Sequence, residues 1–186
     1  MPTAILKESP SIPGTSPVPI HYRQHGDGPP LVYLHGGWGY EAYPFDLQIT
    51  AFQDSHKILI PDRTGYGNSL KIADFPVDFH RRAAQETRLF LDALAIEKAI
   101  LWGHSDGSVI AALMALEWPD RVRAVILEAF HYYRVKPGSQ DFFNSMVINP
   151  YLLGDKISAV LIGDHGREHW QQVIRNNGLG WQKIAT

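Results

Sequence analysis

The run Gly103-His104-Ser105-Asp106-Gly107 constrains this chain more than any other: the apolar residues Ala99-Ile100-Leu101-Trp102 precede it, and small and apolar side chains follow it as far as Glu117. A strand that turns at once into a helix crowds its own apex, and glycines two positions to either side of the apex leave the room that side chains would fill. The spacing predicts a strand over 99–102, a sharp elbow with the Ser105 hydroxyl exposed, and a helix over 107–117. Ala111, Ala112 and Ala115 would let that helix approach a sheet closely. Trp118-Pro119-Asp120 ends it, since proline lacks the amide that the next turn would need.

The remaining segments supply a sheet for the elbow to stand on. Residues 31–34, 57–60 and 123–128 are short apolar runs, as expected of parallel strands covered on both faces. Residues 20–24 alternate apolar and polar side chains like an edge or half-exposed strand. They follow a segment, 9–19, whose four prolines favour an extended, partly mobile arm. Asp78 stands where it can cap a helix running to about residue 95, with Ala83, Thr87, Phe90, Leu91 and Leu94 at helical spacing. Strands alternating with helices predict an α/β fold built on a parallel sheet, and 186 residues suit one compact unit with a buried core. Beyond Ala129 the chain turns aromatic and reads as lid material. Residues 159–162 fit either a strand or a turn of buried helix, and residues 166–174 read on as helix.

Composition excludes several roles. Charged residues make up 19% of the chain and the net charge is −2, so nothing favours a nucleic-acid partner. The absence of cysteine removes disulfides, thiolate metal sites and a cysteine nucleophile together, and mildly favours a reducing compartment. The first residues lack a basic stretch followed by a long apolar one, and no uninterrupted apolar run approaches membrane-spanning length. The chain reads as cytoplasmic and membrane-free, and it carries no metal cluster and no organic cofactor motif.

Two glycine-rich segments flank the elbow in sequence. His35-Gly36-Gly37-Trp38-Gly39 ends the first apolar run, where the Gly37 N–H can face the same crevice as Ser105. With the N–H of Asp106 it forms a candidate oxyanion hole for a reaction that develops negative charge on a carbonyl oxygen. His35 itself reads as a hydrogen-bonded scaffold residue. Asp62-Arg63-Thr64-Gly65-Tyr66-Gly67-Asn68-Ser69 combines a charge pair with two glycines but lacks the Gly-Lys-Ser/Thr ending of a phosphate loop. A structural ion pair beside the site is the expected reading.

In order and spacing these three segments resemble the α/β-hydrolase superfamily over about residues 18–130, and Trp118-Pro119-Asp120-Arg121-Val122 resembles the family's run into its sixth strand. The resemblance implies a parallel-rich α/β-hydrolase sheet flanked by helices, with residues 1–130 as the N-terminal part of the core. Residues 131–186 would form a helical cap beginning after the sixth strand. It also implies that Ser105 is the nucleophile of a serine hydrolase similar to esterases, lactonases and aminopeptidases, acting on a small ester, lactone, amide or related carbonyl substrate through an acyl-enzyme. In the family an acid follows the seventh strand and a histidine the eighth, and neither strand is found convincingly before Thr186. The chain is therefore expected to lack the C-terminal strands and to have little activity.

The candidates for acid and base are then Glu128, at the end of the sixth strand, and His131, Asp164, His165 and His169. None sits at the family's position, and a surface or cap role is the plainer reading for each histidine. Missing strands would also leave the sixth strand as an open edge, so self-association is expected. Trp38, Tyr40, Tyr43, Phe45, Tyr132, Tyr133, Phe142 and Phe143 suggest an apolar small-molecule pocket, though ordinary core would use the same residues. The alternative is a relative that binds a small ligand between sheet and cap without catalysis.

Overall fold

The computed structural model of the chain describes residues 1–132 and 138–185. The strands are β1 (Thr3–Leu6), β2 (Val18–His25), β3 (Pro30–Leu34), β4 (Lys57–Pro61), β5 (Ala99–His104) and β6 (Val122–Glu128). The helices are α1 (Asp46–Phe52), α2 (Phe79–Ala93), α3 (Asp106–Glu117), α4 (Ser139–Ile148), α5 (Asp155–His165) and α6 (Trp170–Ile184). The strands form one mixed sheet in the order β1-β2-β4-β3-β5-β6. β4, β3, β5 and β6 run parallel, while β1 and β2 are joined antiparallel at one side.

The continuous apolar runs have the expected cause. Val32 and Leu34 of β3 enter a cluster with Phe90 and Leu91 of α2 and Ile110 and Met114 of α3. Leu31 and Tyr33, pointing the other way, join Phe45, Ile49, Ile58 and Ile60 beneath α1. Covering both faces stabilises each such large side chain by about 1.5–3 kcal/mol. α2 presents Ala83, Thr87, Phe90 and Leu91 to the core as their spacing requires. Asp78 precedes α2, but its carboxylate accepts from Arg82 Nε at 2.9 Å instead of capping the helix amides.

The sequence reading left alternatives open at three elements, and the structure decides each. β2 is half-exposed but not an edge, because the short strand β1 pairs along its outer side. β6 has Ala124, Val125 and Ile126 exposed, since no strand among the described residues pairs beyond it. Residues 159–162 belong to α5 and not to a strand, so Asp164 does not follow a seventh strand. Packing decides that last case: Leu161 joins Met146, Trp170 and Ile174 in a cluster made by α4, α5 and α6.

The proline-rich segment is also better anchored than its composition suggests. Ser9 is buried, and its hydroxyl donates to Glu86 Oε2 of α2. Glu86 accepts in addition from Thr64 N–H at 3.0 Å and Thr64 Oγ1 at 2.6 Å. One buried carboxylate thus ties the arm, α2 and the loop after β4 together. Glu86→Ala would leave these buried donors without an acceptor, and each such loss costs about 1–3 kcal/mol. Urea unfolding should show a clear loss of stability, and limited proteolysis should cut the arm faster than in the unsubstituted chain.

Candidate active site

β5 runs into α3 with a single residue between them. That residue, Ser105, has φ 53° and ψ −119°, a left-handed region that a side chain enters at a cost of about 1–3 kcal/mol. The strain is held by the surrounding backbone: the Ser105 N–H donates to the Glu128 carbonyl at 2.9 Å, and the Ser105 carbonyl accepts from Ser108 N–H at 2.9 Å. Both glycines of the motif are required by close approach. A Cβ on Gly103 would collide with the Gly107 carbonyl, and one on Gly107 with the carbonyl oxygen of Leu34 in β3. The elbow therefore packs against the end of the neighbouring strand, where the other glycine-rich segment begins.

That segment is fixed from beneath. Arg63 is buried, and one guanidinium nitrogen donates to the carbonyls of His35 and Gly36, each at 2.9 Å. The expected pairing of Arg63 with Asp62 does not form. Asp62 pairs instead with Arg23, at 2.8 Å, and accepts from the Asn68 N–H at 2.9 Å. His35 is a buried scaffold residue whose Nδ1 lies 2.7 Å from the Gly36 carbonyl, and burial followed by the Arg63 charge holds its pKa well below the ordinary histidine value. Gly37 has no room for a side chain, because a Cβ there would strike Asn177 Nδ2 and Asp106 Oδ2. Its backbone consequently lies against the start of α3.

Ser105, Gly37, Asp106 and His131 line one cavity of about 510 Å³. Ser105 Oγ lies 3.2 Å from His131 Nε2. Trp38, Tyr43, Phe142 and Phe143 also line it, as the aromatic content suggests, whereas Tyr40 and Phe45 belong to the core under α1. Tyr132 is exposed, and Tyr133 lies outside the described residues. The sequence reading missed Trp181, Asn177 and His104, which complete the wall. Trp181 and Asn177 are four apart in α6 and so share a face, but nothing local shows that this face meets a residue more than seventy positions earlier.

The Asp106 side chain is buried at the head of α3. Oδ1 accepts from Trp181 Nε1 at 2.9 Å and lies 3.3 Å from His80 Nε2, while Oδ2 accepts from Asn177 Nδ2 at 2.8 Å. Burial pushes this carboxyl up, but His80, Arg63 and Asn177 together outweigh it and hold the group below the usual carboxylate range.

The other candidates have different places. Glu128 accepts from Tyr43 Oη at 2.9 Å and from Trp102 Nε1 at 3.3 Å, and Tyr43 stacks on His104 with ring centres 3.9 Å apart. Asp164 is buried at the end of α5, where it accepts from the Glu41 N–H at 3.2 Å. His165, beside it, has Nδ1 3.0 Å from the Gly67 N–H and Nε2 2.8 Å from the Trp38 carbonyl. These two residues fasten α5 to the loops below it and lie away from Ser105. His169 is exposed at the start of α6.

A family described as the alpha/beta hydrolase fold matches residues 29–150, about two thirds of the chain. The chain belongs to this family. It is 29% identical over 133 residues to haloalkane dehalogenase 2 of Mycobacterium tuberculosis, covering 70% of this chain and 45% of that protein. It is 33% identical over 123 residues to a cis-3-alkyl-4-alkyloxetan-2-one decarboxylase of Shewanella oneidensis, covering 63% and 38%. The chain thus spans less than half the length of these curated relatives. Among solved structures, a thermophilic esterase from Thermogutta terrifontis superposes with a TM-score of 0.73 at 16% identity, over 97% of this chain and 72% of that one. That likeness establishes the fold.

Burial holds His165 below the ordinary histidine value of 6.5 despite the Asp164 carboxylate beside it, so Nδ1 accepts from Gly67 and Nε2 donates to Trp38. The folded value lies below the unfolded one. This contribution to stability is therefore full above about pH 6.5 and is lost as pH falls through that value toward the folded one. Thermal melts at about pH 7.5 and 5.5 should show a drop that is smaller in His165→Gln, even though this variant starts from a lower melting temperature.

Proposed function

We propose that the chain carries the nucleophilic half of a serine hydrolase acting by acyl transfer on a small, largely apolar ester, lactone, amide or related carbonyl compound. The observation that carries this reading is the 3.2 Å separation of Ser105 Oγ and His131 Nε2 at a strained elbow inside an aromatic cavity. In this reading residues 1–130 supply the core and residues 131–186 the cap.

The chemistry follows from the groups at hand. Neutral His131 accepts the Ser105 proton at Nε2 as Oγ attacks the substrate carbonyl, and the N–H groups of Gly37 and Asp106 receive the oxyanion. Asp106 is the first residue of α3, so its N–H is among the amides without a partner inside the helix, at the positive end of the helix dipole. The tetrahedral intermediate collapses, the imidazolium returns its proton to the leaving group, and the acyl-enzyme forms. Water deprotonated by the same imidazole then attacks the acyl carbon, and the imidazolium gives that proton to Ser105 Oγ as the acyl C–O bond breaks and the acid leaves. Trp38 and Phe142, with ring centres 6.2 Å apart, and the stacked pair Phe143 and Trp181 suit an apolar acyl group.

Glu128 remains the candidate to support His131 from the end of β6, with Tyr43 and Trp102 holding its carboxylate. The open side of β6 favours self-association of the chain as it stands, with Val125 and Ile126 exposed there. Among the described residues no helix is long and apolar enough to cross a membrane.

A fluorophosphonate probe should modify the protein at one site, found at Ser105 by peptide mass spectrometry and abolished in Ser105→Ala. His131→Ala should slow labelling about 10²–10⁴-fold, the usual contribution of a positioned base. A fold that stays intact without any labelling would leave a ligand-binding relative as the better description.

A further inference from the structure

The Asp106 carboxylate stands where elementary electrostatics disfavours it. Its own N–H is a proposed donor to a developing oxyanion, and a negative side chain on the same residue repels the charge that the donor attracts. An acid in the first turn of a helix is common, because it complements the helix dipole. Such an acid is ordinarily exposed, however, whereas Asp106 is 1% exposed and engages groups from two other helices.

We propose that Asp106 is a positioning residue: its carboxylate latches Trp181 and Asn177 of cap helix α6 onto the elbow, and so sets the aromatic wall of the cavity above Ser105. This rests on the acyl-transfer reading of the site for its catalytic consequence, but not for its structural one. Trp181 is the part of the latch that reaches the cavity. Its N–H is held by Asp106 at 2.9 Å, its ring stacks on Phe143 with planes 2° apart, and it meets the His131 ring edge-on at 5.6 Å. A shift of this indole moves a wall of the pocket and the side against which His131 rests. His80 of α2 closes the arrangement from below, 3.3 Å from Oδ1 and edge-on to Trp181 at 5.2 Å.

The chemistry of the carboxylate explains why a neutral amide is a poor substitute. A carboxylate accepts at both oxygens, which here face Trp181 and His80 on one side and Asn177 on the other. Asparagine would keep one acceptor oxygen and present an NH₂ group in place of the other, so Asn177 would have to turn its amide to accept, and the charge that strengthens both bonds would be lost. Gly37 fits the same scheme, since a Cβ there would strike both Asn177 Nδ2 and Asp106 Oδ2, so the glycine-rich segment is seated directly on the latch.

The test uses Asp106→Asn and the milder Trp181→Phe, which keeps an aromatic ring but loses the N–H. Two readings are taken on chains shown to be folded by circular dichroism: the pH dependence of fluorophosphonate labelling, and binding of the unreactive aromatic probe naphthalene-1-acetamide by calorimetry. Each substitution should weaken probe binding and slow labelling about tenfold, the scale of one lost charge-assisted hydrogen bond. The pH midpoint of labelling should move, and the loss in the double variant should fall clearly short of the sum of the single losses, because both variants act on the Trp181–Asp106 contact. Probe binding and a labelling midpoint unchanged in folded Trp181→Phe would overturn the proposal, as would fully additive losses. A wild-type chain that binds the probe but is never labelled would overturn the acyl-transfer reading alone, and the binding comparison would still decide the latch.

Discussion

Three backbones meet at the elbow more closely than side chains would permit, and the rest of the site depends on that meeting. Gly107 lies against the Leu34 carbonyl and Gly103 against the Gly107 carbonyl, so β3, β5 and the first turn of α3 are in direct backbone contact. The strained Ser105 conformation survives because it has no freedom to relax: its N–H is bound to the Glu128 carbonyl and its carbonyl to Ser108. A conformation costing about 1–3 kcal/mol is small against the total that a packed core supplies, provided the core does not move. The two apolar clusters on opposite faces of β3 provide that rigidity.

The same close packing brings together amides that sequence separates widely. Gly37 follows β3 and Asp106 opens α3, and the two become neighbours because β3 and β5 are adjacent and parallel with their ends level, Leu34 opposite Gly103. Arg63 then holds the His35 and Gly36 carbonyls and so fixes the start of the segment that follows β3. The cap is attached at two points of different character. His165 and Asp164 fasten α5 to the loops below it through neutral and ionic hydrogen bonds, while Asn177 and Trp181 fasten α6 to Asp106.

Legibility in the sequence followed how local the cause was. β3, β4, β5, α2 and α3 were readable within a residue or two, since each is specified by its own periodicity and by turn residues beside it. The two glycine-rich segments were readable for the same reason: close approach or a positive φ selects glycine within a few residues of sequence. α5 was not resolved, because an apolar run such as residues 159–162 satisfies a strand or a helix equally, and its partners Met146, Trp170 and Ile174 decide between them. β6 was read as buried from its apolar content and also as an open edge, and the structure decides for the edge because no strand among the described residues pairs beyond it.

The sequence by itself determined the class of fold, the elbow at Ser105 and the glycine-rich segment that lines the same cavity, because glycine spacing and apolar runs act through contacts a few residues long. Tertiary structure decided which of five candidate acid and base residues stands beside Ser105. It brought His131 to 3.2 Å, sent Asp164 and His165 to hold the cap, and left His169 in solvent. It also gave the Asp106 side chain partners on α2 and α6 that its position after Ser105 does not imply. The physical reason is the same throughout: a hydrogen bond between residues many tens of positions apart is set by how helices pack on a sheet, and packing is a property of the whole chain.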